Sequence, residues 1–158
     1  QMIAYLSGSM ENAPMEGKEW RAEMTEWLNS NLNHGVIDPV LMSRDTARKE
    51  NAQEYRSWKN SQPEKFKSFI RKIVHSDITA VISQADYLIC LWDNHVIAGG
   101  GTHAEVTFAY WYHKPVFLIN KLEEIELSSW IEACSTSVFT DFKSLKKYLL
   151  KLYKIDQD

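Results

Sequence analysis

The six residues Tyr87–Trp92, YLICLW, are apolar at every position and stop at Asp93-Asn94. A strand with one wet face alternates polar and apolar side chains, so a strand apolar throughout has to be covered on both faces. Shorter runs of similar character lie at residues 3–6, ended by Ser7-Gly8-Ser9, at 36–37 before Asp38-Pro39, at 116–119 after Pro115, and at 137–139. Between them the apolar spacing turns helical. Trp20, Met24, Trp27 and Leu28 mark a helix over about residues 17–32, closed by Gly35, and Phe66, Ile70, Ile73 and Val81 mark another over 66–83. Further helices start near Thr102, span 127–134, and run to residue 153 behind Asp141, a good N-cap. Residues 44–63 are polar and weakly periodic, and read as a mobile, partly helical excursion.

Five buried strands alternating with helices predict an α/β fold: a flavodoxin-like, doubly wound sheet of five parallel strands, order 2-1-3-4-5, with helices on both faces. Such sheets bind ligands at the carboxyl ends of the strands, where the winding reverses. That point lies between the first and third strands. It brings Ser7-Gly8-Ser9 beside Asp93 and the glycines Gly99, Gly100 and Gly101.

The length of 158 residues suits a single domain over residues 1–158. A net charge of −3 with scattered Lys and Arg leaves no basic face for nucleic acid. No apolar run approaches a membrane span, and the run 2–6 is too short for the core of a signal peptide. Cys90 and Cys134 sit in apolar stretches, which suggests a reducing, cytoplasmic setting. No metal-ligand spacing occurs, so neither metal nor cofactor is expected. Six Trp and seven Tyr exceed what one small core needs; they could serve the core, an oligomer interface or a stacking site.

Two carboxylates stand out. On a helical wheel Asp77 falls in the middle of the stripe of Phe66, Ile70, Ile73 and Val81, where a charge is costly unless it is bonded or protonated. It reads either as a buried loop cap or as a site carboxylate. Glu105 falls in the first turn of the helix opened by Thr102, either as half of a capping box or as a site acid beside a glycine run that admits a ligand. Gly99, Gly100 and Gly101 could cradle a phosphate. The hydroxyl of Tyr5, inside the first strand, needs a partner, and the carboxylates are candidates. The histidines read as surface or loop residues, with His95 and His103 as possible ligand contacts.

The runs YLSGS at Tyr5 to Ser9, SDITAVISQADYLICLW at Ser76 to Trp92 and GTHAEVTFAYWYHKPVFLI at Gly101 to Ile119 together resemble the nucleoside 2-deoxyribosyltransferase family. Its superfamily also holds nucleoside 5′-monophosphate N-glycosidases. The resemblance implies that Glu105 is a nucleophile, that Asp77 assists at the nucleobase, that Tyr5 orients the glutamate, and that Asp93 helps protonate the leaving base. It implies substrate contacts from Ser7, Gly8, Ser9, Gly99, Gly100, Gly101 and Thr102. Asp86, at the opposite end of the sheet, reads as structural. Met10-Glu11 stands where phosphate-accepting relatives often carry an arginine.

The expected activity is cleavage of the N-glycosidic bond of a small-molecule nucleoside or nucleotide, with the deoxyribosyl group passed to another base or to water. The family resemblance also implies a homo-oligomer. The rival is a non-catalytic nucleotide-sensing module on the same fold. A flavodoxin or a response regulator fits less well, because SGSMENAP is a poor flavin phosphate loop and the acidic pair of a regulator is missing.

Overall fold

The computed structural model describes residues 1–154. Its strands are β1 (Ile3–Gly8), β2 (Gly35–Ile37), β3 (Tyr87–Trp92), β4 (Val116–Asn120) and β5 (Ser137–Phe139). They form one sheet in the order β2-β1-β3-β4-β5, with every neighbouring pair parallel. The expected α/β architecture and strand order are present. The connecting helices are α1 (Lys18–Leu32), α2 (Pro39–Lys49), α3 (Trp58–Ser61), α4 (Pro63–Thr79), α5 (Gly101–Trp111), α6 (Ser129–Cys134) and α7 (Phe142–Tyr153). No helix among the described residues is long and apolar enough to cross a membrane.

Alternation along the strands sends side chains into two cores. Ala4, Leu6, Ile89 and Phe117 meet Met24 and Leu28 of α1 and Leu145 and Leu149 of α7. Tyr5, Leu88, Cys90 and Leu118 meet Val106 and Ala109 of α5 and Ile131 of α6. Each fully buried Leu, Ile or Phe contributes roughly 1.5–3 kcal/mol relative to exposure. Register pairs Tyr5 with Leu88 and Ser7 with Cys90, so β1 and β3 end together at the crevice.

Four local expectations change. Residues 44–63 are partly helical, as expected, but they pack against the body of the protein and do not stand apart from it. Ala47, Ala52, Tyr55 and Phe69 make a third core, with the Tyr55 and Phe69 rings 4.7 Å apart. Two aromatic residues, Tyr55 and Trp58, provide burial that a polar average conceals. The helix expected over 66–83 starts at Pro63 and gives way to a wider π-type turn at Ala80–Gln84. Gly35 does not close α1. Asn33 does so, with a left-handed φ of 55°, which Asn tolerates better than most residues, and Gly35 is free to pair opposite Ile3. His34, expected at the surface, is buried with its Nδ1 2.7 Å from the Tyr87 hydroxyl.

Candidate active site

Because β1 and β3 carry their following helices to opposite faces of the sheet, a crevice opens beyond their carboxyl ends. Pleating points Tyr5 and Ser7 toward α5. Helix α5 begins at Gly101 with Gly100 as its N-cap, and no side chain caps it. Glu105 is therefore the fifth helical residue, beyond the first turn, and not half of a capping box. Its carboxylate turns into the sheet. The Tyr5 hydroxyl donates to Oε2, and the Ser7 hydroxyl donates to Oε1 at 2.7 Å.

Glu105 is only 6% exposed. Burial pushes its pKa up, and the bonds from Tyr5 and Ser7 and the charge of Arg21 oppose that rise. Tyr5 is fully buried. Burial first, and then the Glu105 charge, hold its phenol well above the ordinary range, so it remains a donor.

Above this pair lies a cavity of about 390 Å³, between the loop after β1, the start of α5 and one face of α4. Ile70, Ile73 and Val74 wall it, and Asp77 lies among them. The α4 stripe expected to be buried in the core thus faces a cavity. Phe69 is the fully buried residue of this helix, and Val74 is 53% exposed. Asp77 is half-buried, and its pKa is pushed up to about 8, by burial first and then by Glu105, against the pull of Arg21. That shift favours the protonated form at neutral pH.

Gly8, Ser9, Gly99, Gly100, Gly101 and Thr102 all wall the same cavity. A Cβ at Gly100 or Gly101 would meet nothing within 4 Å, so the backbone at the start of α5 is open to a ligand. Asp93 is placed differently. Its carboxylate accepts from the His95 N–H at 3.0 Å, and it is not part of the cavity wall. His95 offers its carbonyl to the Ser9 hydroxyl at 3.1 Å. His103 packs edge-on against Trp92 and lines a neighbouring groove with Trp111 and Trp130. Asp86 accepts from the Ile3 N–H at 2.7 Å at the far end of the sheet, a structural role.

Sequence reasoning missed three features. Ser7 holds the glutamate. Tyr55 and Arg56, from the supposed excursion, complete the cavity wall. Ion pairs tie that segment to the loop after β1, Arg56 to Glu16 at 3.2 Å and Lys59 to Glu11 at 3.3 Å. Arg21 is the third, fully buried on α1. Its signal was its place three residues before Met24, on the stripe that continues through Leu28 and Leu32.

Among known proteins, no family model matches the chain, and no curated sequence does. Among solved structures, the chain is similar to a Clostridium botulinum CMP N-glycosidase, BcmB, with 17% identity and a TM-score of 0.48, over 93% of this chain and 97% of that one.

Proposed function

We propose that the protein cleaves the N-glycosidic bond of a nucleoside or nucleotide, with Glu105 as nucleophile and Asp77 as the acid at the departing base. The observation that carries this reading is a pair of unlike carboxyl groups at one cavity. Glu105 is held by two hydroxyl donors that favour its ionised form, and Asp77 lies among apolar side chains of the same cavity, which favour its protonated form. Glycosidic cleavage requires one ionised and one protonated acid, and these unlike surroundings favour that division.

In the proposed reaction a Glu105 oxygen bonds to the anomeric carbon as the bond to the base nitrogen breaks. The base leaves with that electron pair and takes the Asp77 proton. Water or a second base then attacks the same carbon, releasing Glu105 and returning a proton to Asp77. The glycines at the start of α5, Ser9 and Thr102 line the cavity, which supports a role for them as substrate contacts. The test is base release from a panel of deoxynucleosides, ribonucleosides and their 5′-phosphates. Saturable release supports the reading. Binding without release is the signature of a sensing module and overturns it.

Tyr5→Phe removes one donor from the Glu105 carboxylate. Losing a bond that favours the charged form raises the pKa of Glu105, so the acid limb of the kcat/KM profile moves to higher pH. The expected fall in kcat is about tenfold, the scale of one lost charge-assisted bond. An unchanged profile would remove Tyr5 from the mechanism.

The same reading includes self-association. Tyr110, Trp111, Tyr112 and Trp130 are exposed at 47–71%, more large apolar surface than a monomer usually shows. Phe108 belongs to both this face and the cavity rim. Sedimentation at micromolar concentration is expected to give a dimer or larger. A single species of monomer mass would contradict it.

A further inference from the structure

Arg21 has no part in the chemistry above, yet it is among the largest fully buried side chains of the described residues. Its guanidinium donates to main-chain carbonyls: Nε to Leu6 at 3.1 Å, Nη2 to Gly8 at 2.8 Å, and Nη1 to Glu16 at 3.1 Å and Gly17 at 3.3 Å. Leu6 and Gly8 are the end of β1, and Glu16 and Gly17 are the exit of the loop that follows. One planar fork therefore closes both ends of the loop that supplies Ser9, Met10 and Asn12 to the cavity wall. The exit is an unusual backbone. Met15, Glu16 and Gly17 are successive left-handed residues, with φ of 49°, 56° and 74°. A Cβ at Gly17 would lie 2.4 Å from Nη1, so glycine is what lets the fork reach these carbonyls.

The four partners are neutral, so the positive charge is not cancelled by them. The Asp38 carboxylate lies 4.0 Å from Nε and also caps α2 through the Val40 N–H. Glu105 approaches β1 from the opposite face of the sheet. The titratable groups around it are Tyr5 on β1, Cys90 on β3 and Asp77 on α4, none of them cationic. The Leu6 and Gly8 carbonyls that Arg21 holds flank Ser7, whose hydroxyl holds Glu105, so the guanidinium sits one strand away from that carboxylate and its charge opposes the rise in the Glu105 pKa.

We propose that Arg21 is a positioning residue: its guanidinium shapes the loop after β1 and sets a buried positive charge across that strand from Glu105. The proposal rests on the reading of Glu105 as the nucleophile, which must be ionised to act. Lysine keeps the charge and loses the fork, whereas methionine loses both. The two roles therefore separate.

The experiment is a ¹³C NMR titration of the Glu105 side-chain carboxyl in wild type, Arg21→Lys and Arg21→Met, with amide hydrogen exchange over residues 8–17. Arg21→Met is expected to raise the Glu105 midpoint by about one pH unit or more, and Arg21→Lys to leave it within about half a unit. Both variants are expected to exchange the loop amides faster than wild type. Should the methionine variant not fold, Arg21→Gln, which keeps donors but no charge, carries the same expected shift. A folded uncharged variant with an unmoved midpoint overturns the proposal, as does a lysine variant that shifts as far as the uncharged one. The titration needs no turnover, so absence of base release by wild type would defeat the functional reading and leave this measurement to decide the role of Arg21.

Discussion

Glu105→Gln should lower base release by about a thousandfold or more while leaving a folded protein, since removal of a covalent nucleophile costs orders of magnitude in rate. Glutamine is the sharper substitution. It keeps the shape and one carbonyl acceptor for the hydroxyls of Tyr5 and Ser7 but cannot attack the anomeric carbon. Alanine would strip both hydroxyls of their buried partner, at about 1–3 kcal/mol for each group left unsatisfied. A lost rate in the alanine variant would mix chemistry with damage. Turnover within tenfold of wild type in a well-folded Glu105→Gln protein would end the nucleophile assignment.

Asp77→Asn should reduce base release at least tenfold and melt no lower than wild type. The ordinary pKa of the group is 3.8, and the folded value is about 8. Below the lower value both states carry the proton and nothing is lost. As the pH rises from there toward the higher value, the unfolded chain has released its proton while the native chain retains it, so stability falls with pH across this window. Asparagine has no proton to lose. The advantage of the variant should grow from about pH 4 to about pH 8 and, after a strong discount for the solvent screening of a half-buried group, still reach at least roughly 2–4 °C in Tm, the equivalent of about 1 kcal/mol at this size. Wild-type base release should decline above about pH 8, as the acid loses its proton. A variant that melts lower and turns over normally would return Asp77 to a purely structural part.

Asp77 also shows how far a helical wheel reaches. The wheel placed it correctly beside Ile70 and Ile73, but it cannot say whether a stripe meets a core, as Val81 does, or a cavity. That depends on how far α4 stands from the start of α5, which is set by the packing of Tyr55, Trp58 and Phe66 around Phe69. Glu105 was legible as an acid beside a glycine run. Its partners were only partly legible, because Ser7 and Tyr5 lie about a hundred residues away and meet it through strand pleating. Asp93 stood at the correct strand end, but a short-range bond to the His95 N–H holds its carboxylate, and no periodicity reveals such a turn. Arg21 escaped because a charged residue on a helix is ordinarily solvated. Here four carbonyls left open by the end of β1 and a left-handed exit turn satisfy it.

Local chemistry along the chain was enough to determine the strands, their order in the sheet and the helices α1 and α4 to α7, but not α2 and α3. Apolar runs that need two covers and amphipathic stretches that provide them leave few arrangements once crossovers are right-handed. The burial of particular charges, the packing of residues 44–63 and the opening above Glu105 were decided by the tertiary structure. Each is a balance between desolvation and partners brought from distant parts of the chain, and that balance exists only after the sheet has assembled.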